Sequence, residues 1–429
     1  MVASGTQLGM FPVDASDVGG KVEHNRLHVR HSTFLGGLVN PAHRWFRLTP
    51  SFGPELVDQA LDEMDASSDA VVLDPFAGTG TTLIQSKLNG LRTVGFEINP
   101  LLHFVCETTL NWHLDANTLK TTLQSIEDNF SIRRNSAGNL SLPAIHNVER
   151  WWRADVLRDL VVLLDTIETV HPDRAVVNFF RLALVGVLVP DLTNVTLGRL
   201  QLHFIDRSSD HISVLDTFHR HAQLMIDDVS VIADLQSSEA QVFHRDSTDP
   251  GQLDRWTPAT HVITSPPYPN RYSYVWNTRP HLYLLGLFKN ARQAGELDLK
   301  TIGGTWGTAT SSLLKGTVKP LFPAVEQVVG PAVRQIRERD NLMANYVMKY
   351  FNLLAKQVVS QDKLLAPSAK LAYVVGCSWI KDVYLETDVL LGRIVEGLDL
   401  NYGVSKIVRF RRRHSGKDLH EAVVYLAKN

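Results

Sequence analysis

Apolar residues recur at two different periods along this chain, and the change of period outlines its first elements. Within residues 51–64 the apolar side chains stand three and four positions apart, which is the spacing of one helix face. Residues 70–90 begin with a short apolar run, turn at two glycines and continue as a helix that an Asn-Gly pair ends. Residues 92–100 predict a second strand, so this part of the chain forms a βαβ unit that opens a doubly wound sheet.

The helical period then persists through residues 101–235, where no strand-like run interrupts it convincingly. Strand patterns resume at 239–246 and 260–267. Residues 290–330 are rich in Gly, Thr and Pro and predict loops with short helices. A single long helix is predicted at 331–359.

The last strand-like runs predict an antiparallel pair that closes the sheet. They occupy residues 402–413 and 419–429, after a strand at 370–380 and a helix at 387–398. The predicted fold class is α/β: a Rossmann-like, doubly wound sheet with a closing antiparallel hairpin and a large helical insertion. We expect three parts: an irregular arm at 1–40, a sheet domain from 41–110 and 236–429, and the helical insertion at 111–235.

The composition fits a globular chain and removes several functional classes. Of the 429 residues, 44% are hydrophobic and 21% charged, which is usual for a protein with a folded core. The formal net charge is -2, so a surface for nucleic acid would have to be a local basic patch. Two cysteines, and histidines without ligand spacing, predict neither a disulfide framework nor a metal site. Since we see no secretory signal and no apolar run long enough for a bilayer, we expect a cytoplasmic protein without membrane contact.

The turn after the first strand of the βαβ unit has the residues of a ligand-binding loop. The sequence DPFAGTGTT places Asp74 at the end of the strand and Gly78 and Gly80 in the turn, where glycine lets a ligand approach the backbone. The next helix offers free N–H groups, and Glu97 can accept hydrogen bonds from ribose hydroxyls. Leu83 replaces the third glycine of a dinucleotide fingerprint, and no phosphate-loop Lys-Ser/Thr pair follows. Because the carboxylate of Asp74 would repel a pyrophosphate, the turn favours a ligand with a positive ammonium group.

A rigid polar corner, TSPPYPNRYSY at residues 264–274, follows the strand-like run THVI. Its two adjacent prolines cannot donate to a strand ladder, and they fix the backbone between Ser265 and Tyr268. The Ser265 hydroxyl and the Pro266 carbonyl are acceptors held in place beforehand, and the tyrosine ring can lie flat on a planar ligand. Alone, Pro-Pro-Tyr is more often a strand terminator with a surface tyrosine. The glycine loop in the same chain favours the functional interpretation.

Together these motifs resemble those of the DNA amino-methyltransferases, which modify N4 of cytosine or N6 of adenine. DPFAGTGTT is similar to the family's cofactor loop, and TSPPY is similar to its catalytic loop. Residues 43–57 are similar to the segment that covers the methionine part of the cofactor. The cofactor loop precedes the catalytic loop, whereas many serine-type members have the opposite order. The helical insertion and residues 290–330 match no part of the family's pattern.

The resemblance implies S-adenosylmethionine as the cofactor and a methyltransferase catalytic domain at 41–110 and 236–429. The implied cofactor contacts are Asp74, Pro75, Phe76, Ala77, Gly78, Gly80, Thr81, Glu97 and Asp246, the last of which would meet the adenine amino group. The implied catalytic residues are Ser265, Pro266, Pro267 and Tyr268. A lone pair delocalised into the base makes an amino nitrogen a poor nucleophile, so acceptors for its N–H groups would favour a pyramidal nitrogen. The base would have to be flipped out of the duplex.

The first residue of the catalytic motif, Ser265, gives an indication of which base is the target. Serine there accompanies N4-cytosine more often than N6-adenine methylation, so N4 of cytosine is preferred, in a restriction-modification or defence system. N6-adenine stays open, because Ser and Asp are both acceptors. RNA guanine-N2 methylation and a non-catalytic DNA-binding subunit are further alternatives. C5-cytosine chemistry is disfavoured, because neither Cys106 nor Cys377 follows a proline.

Candidate DNA contacts lie beside the catalytic loop and near the end of the chain. Residues 401–417 carry basic charges and no acid, as phosphate binding requires. The predicted DNA-binding residues are Asn270, Arg271, Tyr272, Arg409, Arg411 and Arg413. Double-stranded DNA is the expected partner, with a cognate restriction endonuclease as a second. The helical insertion is the preferred region for reading the bases, because it has enough extra chain.

Overall fold

The computed structural model describes residues 21–24, 33–136, 138, 141–198, 201–233, 235, 238–253, 256–304, 307–414 and 417–428. At residues 308, 411–414, 417 and 418 it describes the backbone alone. Twelve strands lie in the described part of the chain. They are β1 (Val22–His24), β2 (Val71–Asp74), β3 (Arg92–Glu97), β4 (Val195–Leu197), β5 (Leu202–Phe204), β6 (Ala240–His244), β7 (Ala259–Thr264), β8 (Leu365–Gly376), β9 (Ser378–Ile380), β10 (Val383–Leu385), β11 (Tyr402–His414) and β12 (Lys417–Lys428).

Helices make up most of the remaining described chain. They are α1 (Pro54–Glu63), α2 (Thr81–Leu88), α3 (Pro100–Leu110), α4 (Ala116–Ser136), α5 (Val148–Trp151), α6 (Ala154–Thr169), α7 (Arg174–Gly186), α8 (Val214–Ile232), α9 (Tyr274–Leu284), α10 (Ala291–Lys300), α11 (Thr308–Leu314), α12 (Pro323–Arg337), α13 (Asn341–Asp362) and α14 (Thr387–Glu396). Two short 3-10 turns, Gly37–Val39 and His43–Trp45, precede α1. None of the described helices combines the length and apolar character that crossing a membrane requires.

The central sheet has eight strands in the order β1-β11-β12-β8-β7-β2-β3-β6. Its middle is parallel, since β2 pairs in parallel with β3 and β7, β3 with β6, and β7 with β8. Every residue of β2 is buried, as expected for a strand covered on both faces. Strand β12 runs antiparallel between β8 and β11. The predicted α/β fold with its βαβ opening and closing antiparallel pair is therefore confirmed.

Three local predictions were wrong. The arm is not wholly irregular, because β1 pairs in parallel with β11, with Val22 opposite Ile407. The region 101–235 is not purely helical, because β4 and β5 form an antiparallel hairpin. The helix predicted at 331–359 is two helices, since the Asp340 side chain accepts a hydrogen bond from the Met343 amide at 3.0 Å and begins α13.

The helices of the insertion share a hydrophobic core with helices that flank the sheet. Phe179, Phe180 and Phe218, from α7 and α8, are fully buried in one cluster with Leu101 of α3 and Leu282 of α9. Direct contacts join α3 to α7 and the His43–Trp45 turn to α7. The insertion is thus packed on the same side of the molecule as the segment that precedes the glycine loop.

Candidate active site

A cleft opens where β2, β3, β6 and β7 end, as expected for ligand sites at the carboxyl edge of such a sheet. It contains about 890 Å³ of space, part of it open to solvent. The sequence-predicted residues that line it are Asp74, Pro75, Phe76, Ala77, Gly78, Thr81, Glu97, Asp246, Ser265 and Pro267. Residues from the cofactor loop and from the catalytic loop therefore face one shared space.

The glycine turn is held in shape by hydrogen bonds from its own neighbours. Gly78 has a φ of 55°, and its N–H donates to Glu97 Oε2 at 2.8 Å. Gly80, with a φ of 94°, precedes α2. It is not among the cleft-lining residues, and a Cβ there would lie 2.7 Å from Cys106 Sγ. Gly80 therefore permits α2 and α3 to pack closely. It does not line the cleft, where the sequence predicted a cofactor contact.

Asp74 joins the cofactor loop to the strand that carries the catalytic corner. Its carboxyl group is buried, with 2% of the residue exposed. Thr264, the last residue of β7, donates its hydroxyl proton to Asp74 Oδ1 at 2.6 Å, and the Phe76 amide donates to the same atom at 3.0 Å. Burial raises the pKa of Asp74 to about 6, although these hydrogen bonds act in the opposite direction. The group is thus placed to ionise near neutral pH.

Glu97 lies at the end of β3 with both carboxylate oxygens engaged by backbone. Besides the Gly78 amide, the Asn99 N–H donates to Oε1 at 2.7 Å. Burial raises the pKa of Glu97 to about 7; the Asn99 and Gly78 hydrogen bonds lower it, and nearby Asp74 raises it further. Asp246 is half-buried in the turn after β6, where its Oδ1 accepts from the Thr248 amide at 2.8 Å. Three carboxyl groups therefore border the same cleft.

The raised pKa of Glu97 predicts a specific pH dependence of stability. The folded protein holds this proton up to about pH 7, whereas the unfolded chain releases it near its ordinary value of 4.5. The stabilisation of the folded state by the Glu97 proton is therefore fully present below pH 4.5, and it is lost as the pH rises to about 7. We expect the unfolding free energy of the ligand-free protein to fall across this window by roughly 2–3 kcal/mol more than that of Glu97→Gln.

Denaturant titrations of both proteins at several pH values measure this difference in slope. Asp74 is present in both proteins, so its own titration cancels in the comparison to a first approximation. Equal slopes for the two proteins between pH 4.5 and 7 would contradict the raised pKa of Glu97.

The catalytic corner follows β7 directly. Pro266 and Pro267 are buried, while Ser265 and Tyr268 are half-buried. Ser265 and Pro267 line the cleft. The ring of Tyr268 lies over the last residue of β8, because a Cβ on Gly376 would be 2.5 Å from Tyr268 Cδ2 and 2.7 Å from Cε2. The absent side chain at Gly376 thus creates the space that the ring fills.

Residues outside the two motifs support the corner from outside. The Arg271 amide donates to Tyr346 Oη of α13 at 3.2 Å. The Ser273 hydroxyl donates to the buried Asp298 of α10 at 2.7 Å. A Cβ on Gly303 would be 3.6 Å from both Pro267 Cβ and the Tyr268 carbonyl oxygen. The sequence pattern did not indicate these contacts, since each joins positions that are far apart in the chain.

Gly376→Ala is expected to displace the Tyr268 ring, because the added methyl group would overlap two of its atoms. We expect the methyl transfer that the family resemblance implies to fall by about tenfold or more, because small misplacements of positioning groups have large effects on rate. Cofactor affinity, measured by calorimetry on the same preparation, should stay at the wild-type value. A variant with wild-type turnover would show that the ring position does not matter for transfer.

The predicted DNA-binding residues fall into different environments. Arg271 is exposed beside the corner with a φ of 63°, and Asn270 Oδ1 accepts from the Tyr272 amide at 3.1 Å. Tyr272 is instead buried against Tyr274, with ring centroids 4.9 Å apart. The Arg409 guanidinium pairs with Asp388 at 2.5 Å and with Glu386 at 3.0 Å. The side chains of Arg411 and Arg413 lie outside the described part of the structure.

The segment before α1 completes the cleft, as the resemblance predicted. Leu48, Pro50, Ser51 and Phe52 all line it. Residues 43–103, which contain both this segment and the glycine turn, match the family model described as DNA methylase. In this segment the chain is similar to the N4/N6 family of DNA amino-methyltransferases.

Two curated relatives of this family illustrate the range of similarity. The type II methyltransferase M.BsoBI of Geobacillus stearothermophilus is 32% identical over 96 residues, 20% of this chain and 19% of that protein. The type II methyltransferase M.MvaI of Kocuria varians is 20% identical over 378 residues, 80% of this chain and 77% of that protein. At the higher level of identity, the chain thus spans 19% of the relative's length.

Among solved structures, the rRNA methyltransferase aviRa from Streptomyces viridochromogenes aligns with a TM-score of 0.31 at 11% identity, covering 90% of this chain and 89% of that one. This score adds nothing to the strand order described above. The cofactor of the family is S-adenosylmethionine, and the cleft fits it. Buried carboxyl groups border the space, and the Gly78 turn permits close approach to the backbone.

Proposed function

We propose that this protein methylates the exocyclic amino group of a base flipped out of double-stranded DNA, with N4 of cytosine preferred over N6 of adenine. The observation that carries the proposal is the shared cleft. Ser265 and Pro267 of the catalytic corner line the same space as Asp74 and Glu97 of the cofactor site. A methyl donor held by the carboxylates and an amino group held by the corner would therefore lie in one cleft, with no protein atoms between them.

The residues of the corner have separate tasks in this proposal. Ser265 Oγ and the Pro266 carbonyl accept hydrogen bonds from the amino group and favour its pyramidal geometry. The two buried prolines and the Asp74–Thr264 hydrogen bond keep these acceptors fixed before the base arrives. The Tyr268 ring, seated on Gly376, stacks on the base. S-adenosylmethionine, when bound, supplies the electrophilic methyl group.

The cofactor contacts of the proposal use the carboxyl groups of the cleft. Asp74 faces the ammonium of the methionine part, Glu97 accepts from the ribose hydroxyls, and Asp246 accepts from the adenine amino group. The burial of Asp74 and Glu97 strengthens their contacts, because little water competes around these two side chains. The backbone positions from Pro75 to Gly78 and at Thr81 line the space between these carboxyl groups.

The end of the β11–β12 hairpin supports a phosphate-binding surface beside the corner. Gly376, under Tyr268, pairs with Glu421 of β12, and the pairs Arg411–His420 and Arg413–Asp418 lie further along the same hairpin. The hairpin therefore extends past the edge of the sheet where the catalytic corner lies. We propose Arg271, Arg411 and Arg413 as phosphate contacts, and we leave Arg409 and Tyr272 out because their groups are occupied or buried.

The proposed setting is a restriction-modification or defence system acting on DNA in the cytoplasm, with a cognate endonuclease as partner. The preference for cytosine rests on serine at position 265, which an adenine enzyme could also use as an acceptor. The relatives M.BsoBI and M.MvaI, both named type II methyltransferases, are consistent with that setting.

Nucleoside analysis of host DNA tests the proposal. DNA from cells that express the wild-type protein, digested and analysed by mass spectrometry, should contain N4-methylcytosine, and DNA from cells that express Ser265→Ala should not. N6-methyladenine instead would transfer the assignment to adenine. A modified base in RNA alone would favour the guanine-N2 alternative. Unmodified nucleic acids together with absent cofactor binding would indicate a non-catalytic subunit.

A further inference from the structure

We propose that Asp228, in the helical insertion, is a positioning residue for the cofactor site. It holds residues 42–45 so that the following residues, 48–52, form one wall of the cofactor cleft. The identity of the ligand rests on the proposed function, whereas the positioning itself is a property of the chain. The insertion would then be part of the cofactor site, in addition to being the preferred region for reading DNA.

A single buried carboxylate makes four contacts with one short segment. Asp228, on α8, is 1% exposed. Its Oδ2 accepts hydrogen bonds from the Ala42 amide at 3.3 Å, Arg44 Nε at 3.0 Å and Trp45 Nε1 at 2.9 Å. Its Oδ1 forms an ion pair with Arg44 Nη2. These donors, from three neighbouring residues, fix the turn in both position and rotation.

Other residues of the insertion hold the same turn. His221, about two helical turns before Asp228 on α8, has its Nε2 3.0 Å from the Trp45 carbonyl oxygen. Gly186, at the end of α7, approaches so closely that a Cβ there would be 2.4 Å from that oxygen. The Trp45 ring is fully buried and meets the Phe179 ring edge-on, with centroids 5.6 Å apart. Both α7 and α8 are thus shaped around the turn.

The turn continues directly into the wall of the cleft. Leu48, three residues after Trp45, lines the cleft with Pro50, Ser51 and Phe52. A Cβ on Gly78 would lie 4.0 Å from Leu48 Cδ2, so this wall stands beside the glycine turn. From the sheet domain, α2 contacts the turn through His43 Nε2, which is 3.3 Å from Gln85 Oε1, whereas Asp228 of the insertion makes four contacts with it. The insertion therefore supplies the stronger anchor of this wall.

Loss of the carboxylate should act on cofactor affinity through the conformation of the wall. An asparagine at 228 retains one acceptor oxygen, but it loses the charge that pairs with Arg44. The segment would then populate other conformations, and apparent affinity falls in proportion to the fraction that remains competent. If about a tenth of the molecules keep the wall in place, the dissociation constant rises by about tenfold.

The test compares Asp228→Asn with Asp227→Asn in the full chain. Asp227 is the exposed neighbour on α8, whose carboxylate accepts from Gln223 Nε2 at 2.8 Å, and it is the matched control. S-adenosylmethionine binding is measured by calorimetry, and amide hydrogen exchange is measured without cofactor. We expect Asp228→Asn to weaken binding by about tenfold and to speed exchange in residues 42–52 while α8 keeps its protection. Asp227→Asn should match the wild type in both measurements.

A folded Asp228→Asn protein with wild-type affinity and wild-type exchange in 42–52 would overturn the proposal. If that variant does not fold, Arg44→Gln takes its place, because Arg44 is partly exposed and its loss leaves the other donors to Asp228 intact. Faster exchange with the same affinity would also overturn the link to the cofactor. If the wild type itself binds no S-adenosylmethionine, the proposed function fails, and the exchange measurement alone decides whether Asp228 holds the turn.

Discussion

Ser265→Ala is expected to lower the rate of methyl transfer by about 10²–10³-fold while cofactor affinity stays at the wild-type value. The hydroxyl is one of two acceptors aimed at the amino group, and preorganised groups of this kind contribute mainly in the transition state. Ser265 is half-buried and lines the cleft, whereas its neighbour Thr264 is fully buried and donates to Asp74 at 2.6 Å. Single-turnover transfer from labelled S-adenosylmethionine to duplex DNA measures the effect.

Two variants control this experiment. Tyr268→Phe retains the stacking ring and should keep most of the activity, whereas Tyr268→Ala should not. Ser311→Ala removes an exposed hydroxyl in α11 that donates to the Gly307 carbonyl oxygen at 3.3 Å, and it should leave turnover unchanged. Undiminished transfer in both Ser265→Ala and Tyr268→Ala would remove the catalytic role from this corner.

Arg409→Met is expected to lower the free energy of unfolding by about 3–5 kcal/mol, because it leaves a buried carboxylate without its partner. Asp388 is completely buried and receives Arg409 Nε at 2.5 Å, and the Arg409 side chain itself is 13% exposed. Methionine keeps much of the aliphatic stem, so the change isolates the charge. Chemical denaturation of wild type and variant measures the loss.

The matched control is Arg92→Met, which removes a solvent-exposed ion pair instead of a buried one. Arg92 and Glu239 meet at 3.3 Å with more than half of each side chain exposed. Such pairs contribute up to about 1 kcal/mol. DNA affinity, measured below the unfolding transition, should be the same for Arg409→Met and wild type. A weakened affinity with unchanged stability would instead return Arg409 to the DNA surface.

The order of strands and helices around the glycine loop could be predicted because the information is local. The period of apolar residues changes from strand to helix at Gly80, and the two prolines after Thr264 end β7 where the pattern indicated. The residues of both loops then meet because parallel strands share a carboxyl edge. The pattern failed at β1, because a strand of three residues is too short to show a hydrophobic period.

The supports of the site could not be predicted, because each joins residues that are distant in the chain. Asp228 is 186 positions from Ala42, and Tyr346 is 75 from Arg271. In each case the partner comes from a different element and is defined only by the fold. The basic stripe at 401–417 has the same weakness: charge identifies Arg409 as a cation, but the carboxylate that occupies it comes from α14.

The anchoring of residues 42–45 on α8 has a consequence for the design of hybrid enzymes. If specificity were changed by exchanging residues 111–235 with those of a relative, the graft would carry its own surface for that turn. The turn and the donor helix would have to be transferred together, or rebuilt to fit, before the hybrid could hold its methyl donor. When a protein of this kind acquires a new recognition region in evolution, we therefore expect matching substitutions in the 42–45 turn and in the helix that holds it.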